Sequence, residues 1–130
     1  MNRMQDKHFS IHAYVNVKPG KLEGHKSIGL ECFEVVKEQT GILYYTISYN
    51  EDQTRAYFRE GYKSAEGFLF HCKTNKDLVG RLSEFGEMYR LECHCTKSDW
   101  RISGVGDFLG KIGCEFWEIS EGGSFNKSVE

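Results

Sequence analysis

Phe58, Glu60 and Tyr62 stand two residues apart inside a run of strand-forming residues. Period-2 spacing puts all three side chains on one face of that strand. A carboxylate set among aromatic rings loses hydration, so its pKa rises and it becomes an acid or base usable near neutrality. His71 follows on the next helical segment, and histidine is the side chain whose ordinary pKa lies nearest 7. Glu60 and His71 are therefore the candidate catalytic residues, and the chemistry they suggest is proton transfer with a bound molecule. Plainer roles stay open for each. His71 could hydrogen-bond at a subunit interface or on the helix surface. Glu60 could pair with Arg55, Arg59 or a lysine of a second chain, and Tyr62 could be core.

Other chemistry-bearing groups point less clearly. His12, Tyr14 and His94 share the parity opposite to the aliphatic residues of their strands, and sequence alone cannot bring them together. Cys93-His94-Cys95 has two thiols on one side of a strand, but zinc usually needs four ligands and no second clustered pair is nearby. No metal is expected. Gly104, Gly106 and Gly110 imitate a dinucleotide fingerprint at the wrong spacing and without the surrounding βαβ unit. The five cysteines are odd in number and scattered, which reads as reduced thiols in a cytoplasmic protein.

The elements that must position these groups follow from periodicity. Phe9 to Val17 alternates, with Phe9, Ile11, Ala13, Val15 and Val17 on one face, and Pro19-Gly20 ends it. Leu22 to Gln39 carries Leu22, Ile28, Cys32, Val35 and Val36 at helical spacing, with Thr40-Gly41 as the stop. Ile42 to Tyr49 and Arg55 to Tyr62 read as a hairpin around Asn50-Glu51-Asp52-Gln53. Ser64 is a suitable N-cap for a second helix with Phe68, Leu69, Cys72, Leu78, Leu82 and Phe85 as its stripe, and Thr74-Asn75 predicts a break within it. Tyr89 to Thr96 alternates again, with Tyr89, Leu91, Cys93 and Cys95 on one face. A short helix is expected around Val105 to Ile112 and a last strand over Cys114 to Ile119.

The order β-α-β-β-α-β plus a short helix and strand predicts an α+β, ferredoxin-like domain with an antiparallel sheet spanning residues 1–130. The segments 1–8 and 120–130 are expected to be flexible. Helices cover one face of such a sheet. The other carries His12, Tyr14 and half of a tyrosine-rich hairpin, which is too aromatic to leave wet, so a homodimer is expected. Seventeen basic and nineteen acidic residues give a net charge of −2 with no basic run, which argues against nucleic acid and against an anionic membrane surface. No apolar stretch approaches the roughly 18 residues of a spanning helix, and the polar start, Met1 to Lys7, does not read as a signal peptide.

The run Phe58 to Lys73, FREGYKSAEGFLFHCK, resembles the signature of antibiotic-biosynthesis-monooxygenase (ABM) domains, carried here by Glu60, Tyr62, Ser64, Phe68 and His71. Val17-Lys18-Pro19-Gly20 and Thr40-Gly41-Ile42-Leu43-Tyr44-Tyr45 resemble that family's first strand-turn and the segment before its hairpin. The likeness spans roughly residues 9 to 96. It implies a dimeric α+β barrel with a pocket between each sheet and its own helices, and a cofactor-independent monooxygenase acting on a small aromatic, quinol-like compound. Tyr45, Tyr62 and Phe68 would then form the substrate-binding wall, and His71 or Glu60 would handle protons. A non-catalytic dimeric module that binds a small molecule, or is purely structural, is the other function the resemblance allows. Haem-cleaving relatives place an asparagine near the position of Ala13 and an iron-binding histidine near that of Arg81, so haem is not expected.

Overall fold

A computed structural model describes residues 9–120 and residue 123. Apart from Ser120 and Gly123, the two ends expected to be flexible lie outside the described residues. The elements are β1 (Phe9–Val17), α1 (Leu22–Val36), β2 (Ile42–Tyr49), β3 (Arg55–Tyr62), α2 (Ala65–Thr74), α3 (Lys76–Leu82), β4 (Gly86–Cys95), α4 (Lys97–Trp100), a 3₁₀ turn (Ile102–Gly104), α5 (Val105–Lys111) and β5 (Glu115–Glu118). The hairpin strands have the bounds their residues predict, and the second helix breaks at Asn75 as expected.

The sheet runs β2-β3-β1-β4-β5. Its first four strands pair antiparallel in the ferredoxin-like order, with Glu60 opposite Ile11 on one side and Tyr45 on the other. β5 departs from the antiparallel expectation. It pairs parallel to β4, Cys93 opposite Phe116. The reason is the crossover: α4, the 3₁₀ turn and α5 carry the chain back before β5 begins, as a parallel connection requires.

Two further expectations change. A bulge between β1 and β4 sets Val15 opposite Met88 but Tyr14 opposite Arg90. The extra residue, Tyr89, is thereby put out of step with Leu91 and Cys93. Its ring lies 6.2 Å from Tyr14 on the outer face rather than in the core. The first helix also ends earlier, at Val36, and Gly41 serves another purpose than stopping it. A Cβ on Gly41 would lie 2.9 Å from Gly67 Cα, and one on Gly67 would lie 2.7 Å from Gly41 O. This close approach seats α2 against the start of β2. Gly67→Ala should cost about 1–3 kcal/mol, because the obstacle is backbone and cannot rotate away. A urea midpoint equal to that of the unmodified protein would contradict the contact.

The helices cover the inner face of the sheet. One buried cluster joins Phe9, Ile11, Tyr62, Phe68, Leu91, Cys93, Val105 and Leu109, and a second joins Val15, Ala56 and Phe58. Ala13 touches both clusters. Between them the packing is incomplete.

Candidate active site

The gap is a cavity of ≈ 330 Å³, walled mainly by Ile11, Ala13, Phe58, Phe68, Leu91 and Leu109. Its mouth carries Val79, Met88, Phe108 and Ile112, each 45–51% exposed. Small-molecule sites have this character, a largely apolar wall with a few placed polar groups. A shallower groove of ≈ 400 Å³ between α1 and β2 has Lys37 as its charged group and lacks an acid–base pair.

Four of the five residues singled out from the sequence meet on the cavity wall: Tyr45, Glu60, Phe68 and His71. Tyr62 is the exception. It stands behind Glu60, fully buried, and donates its hydroxyl to Glu60 Oε1 at 2.5 Å. It orients the carboxyl and does not reach the cavity. One alternative partner for Glu60 points elsewhere. Arg59, one residue along, lies on the outer face with its guanidinium over Tyr44 at 4.3 Å.

Glu60 and His71 face each other, with His71 Nε2 3.8 Å from Glu60 Oε1. Charge-pair geometry suggests an ion pair, but burial opposes it. Burial lifts the Glu60 carboxyl to about 7, against a smaller lowering by the Tyr62 hydrogen bond. Burial also brings the His71 imidazole down to about 4. Both groups pay for ionisation in this setting, so between about pH 4 and pH 7 the pair is a carboxylic acid beside a neutral imidazole. The 3.8 Å gap is too long for a direct hydrogen bond and leaves space for a ligand oxygen to contact both.

The proton on His71 is fixed by Gln39, which follows α1. The Gln39 amide nitrogen is held by Thr74 Oγ1 and Asn75 Oδ1, each at 2.7 Å. Its oxygen therefore turns to His71 Nδ1 at 3.0 Å, and an amide oxygen can only accept. Nδ1 carries the proton, and the Nε2 lone pair faces Glu60. Asn75 supplies the acceptor at the helix break, while its own Nδ2 is buried with no partner among the described residues. Gln39 was invisible as a functional residue in the sequence, since its contacts are with residues more than thirty positions away.

The remaining candidates sit outside this site. His12, Tyr14 and His94 do converge, but on the outer sheet face: the His12 and His94 rings are 4.5 Å apart, and Tyr14 meets Tyr57 at 4.9 Å. Cys93 and Cys95 point inward, their sulfurs 3.8 Å apart, while His94 points outward and stacks on Trp117. The triplet therefore does not converge on one ion. Among the described residues, no group of three or more His, Cys, Asp or Glu is placed to hold a metal. Arg81 forms a two-pronged pair with Glu31 at 3.0 Å on the surface, away from the cavity.

No family model matches the sequence, and no curated protein matches it. Solved structures do. MupZ from Pseudomonas fluorescens superposes with a TM-score of 0.81 at 22% identity, over 93% of this chain and 95% of that one. A protein from Nitrosomonas europaea, named as a candidate antibiotic biosynthesis monooxygenase, gives a TM-score of 0.58 at 21% identity over 65% of this chain and 90% of that one. Another antibiotic biosynthesis monooxygenase gives 0.58 at 16% identity, over 65% of this chain and 92% of that one. The chain has the ABM-like fold. At these identities the likeness extends to architecture alone.

Proposed function

We propose that the chain is a cofactor-independent monooxygenase that deprotonates a small, electron-rich aromatic, quinol-like compound in this cavity. One observation carries the reading: a buried carboxyl, Glu60, lifted by burial to a pKa of about 7, faces a largely apolar cavity beside a neutral histidine. A general base is most effective when its pKa lies near the working pH. Glu60 as carboxylate takes the phenolic proton, with the His71 Nε2 lone pair as the second acceptor within reach. The resulting anion adds dioxygen at a ring carbon. Loss of the ring hydrogen and cleavage of the O–O bond then give a quinone carbonyl and one water. Atoms balance as phenol plus O₂ to quinone plus H₂O. Tyr45 and Phe68 supply ring surface for the substrate, and Tyr62 holds the Glu60 carboxyl in place.

The test is oxygen uptake and quinone absorbance with a panel of dihydroxynaphthalenes. A rate no higher than that of His71→Ala and Glu60→Gln variants would count against catalysis. The second reading, a non-catalytic binding module, draws on the mostly apolar wall. It predicts strong thermal stabilisation by a ligand that is recovered unchanged. A purely structural role would fit a filled interior better than a cavity of ≈ 330 Å³.

The working unit in this proposal is a cytoplasmic homodimer joined through the outer sheet face. There Tyr14, Tyr57, His12, His94 and Trp117 form a continuous aromatic surface, with Trp117 49% exposed. Five free thiols suit a reducing compartment. Tyr57→Asp should convert dimer to monomer in sedimentation, since two-fold symmetry places two new charges in one apolar interface. An unchanged sedimentation coefficient would place the contact elsewhere. Among the described residues, no helix is long and apolar enough to cross a membrane.

A further inference from the structure

The cavity has a second polar pole that the acid–base pair does not use. His25 is 1% exposed and forms part of the cavity wall. It belongs to the buried stripe of α1 with Ile28, Cys32 and Val36. Its ring is locked by edge-on contacts with Tyr49 at 5.6 Å and Phe58 at 5.8 Å. Nδ1 lies 2.8 Å from the Tyr49 hydroxyl. The hydroxyl can donate to Nδ1, and in that tautomer the neutral ring carries its proton on Nε2. Burial keeps the ring neutral by holding its pKa below the usual imidazole range. No hydrogen-bond partner for Nε2 is found among the described residues, and Nε2 is not among their closed-off, unpartnered polar atoms. In that tautomer Nε2 is a donor available to a ligand, at a stretch of wall where Val15, Phe58 and Leu82 are apolar.

We propose that His25 Nε2 binds the distal oxygen of a ligand whose other oxygen sits between Glu60 and His71. The site then selects a flat, elongated compound with hydroxyl or carbonyl groups at opposite ends of an apolar fused-ring body. This rests on the reading of the cavity as the substrate site. The spacing supports it. His25 lies level with Val15 and Gly86, and Val15 pairs with Ala56, four residues down β3 from Glu60. Strand rise makes that about 13 Å along the backbone, and on the order of 10 Å between side chains that lean inward. The wall between the poles is apolar, with Ala13, Phe58 and Leu91. A one-ring diol, or a fused-ring diol with both oxygens on one edge, reaches a single pole.

The experiment is an anaerobic binding titration of 2-naphthol, 2,6-dihydroxynaphthalene and 1,8-dihydroxynaphthalene, so that no turnover is needed. The unmodified protein should bind the 2,6-diol roughly 3- to 10-fold more tightly than the other two, the worth of one added hydrogen bond. His25→Phe should bring that ratio to about one while leaving 2-naphthol affinity within about twofold. Should His25→Phe fail to fold by near-UV circular dichroism, Tyr49→Phe takes its place. It removes the group that sets the proton on Nε2, and it should also lower the ratio. Absence of a 2,6-preference in the unmodified protein, or a preference that survives the substitutions, overturns the proposal. A preference that depends on His25 in a protein that never consumes oxygen would defeat the monooxygenase reading and leave this one standing.

Discussion

Glu60→Gln should reduce oxygen-dependent turnover by about 10²–10⁴-fold, the usual contribution of a positioned general base. The substitution keeps shape and removes only the ionisable proton. Tyr62 can still donate to the amide oxygen, so the local geometry is preserved. Stability should hold or rise at pH 8, where the native carboxyl would otherwise ionise in an apolar setting. The rate in the unmodified protein should climb with pH through about 7, as the carboxylate fraction grows. A Glu60→Gln variant that retains full rate would remove Glu60 from the reaction. A full-rate profile flat across pH 6–8 would do the same.

The second expected result concerns stability against pH, and here the two members of the pair act with opposite sign. The Glu60 carboxyl is raised from 4.5 to about 7 on folding, so its contribution is complete below pH 4.5 and is lost as pH rises through 7. The His71 imidazole is lowered from 6.5 to about 4, so its contribution is complete above pH 6.5 and is lost as pH falls through 4. Between these limits the unfolded chain holds a charged histidine and a charged glutamate, while the folded protein holds a neutral histidine and a protonated glutamate. Each state carries one proton on the pair. The pair therefore adds almost no slope between pH 4.5 and 6.5.

Single substitutions should expose the hidden slopes. Relative to the unmodified protein, His71→Phe leaves Glu60 alone and should lose stability with rising pH by up to about 1.4 kcal/mol per unit. Glu60→Gln leaves His71 and should gain by a similar amount over the same window. Each shift arises from burial and not from the other member, so removing one partner preserves the behaviour of the other. Chemical denaturation at half-unit pH steps measures both. Parallel curves for the three proteins would show that folding shifts neither group.

Local pattern was enough for several of these features. The alternation of Phe58, Glu60 and Tyr62 placed the carboxyl on an inward face, and the tyrosine-rich runs gave both hairpin strands to the residue. The helix break at Asn75 was written in a polar pair within an apolar stripe. Such readings work because strand and helix periods are set by backbone geometry within a few residues. His25 is legible in the same way. It repeats at helical spacing with Ile28, Cys32 and Val36, a histidine in an apolar stripe.

Glu60 stands at the centre of what the sequence determined and what it left undecided. Residue type and spacing determined that a carboxyl would sit among rings. Tertiary structure alone decided that His71 would face it, that Gln39 would set the proton on His71, and that Tyr62 would stand behind it. It also decided the parallel β5, the outward turn of Tyr89 and the meeting of His12 with His94. These depend on which strands are neighbours, on one bulged residue and on the order of chain crossings. Those quantities are properties of distant segments packed together, and no periodicity within a single segment encodes them.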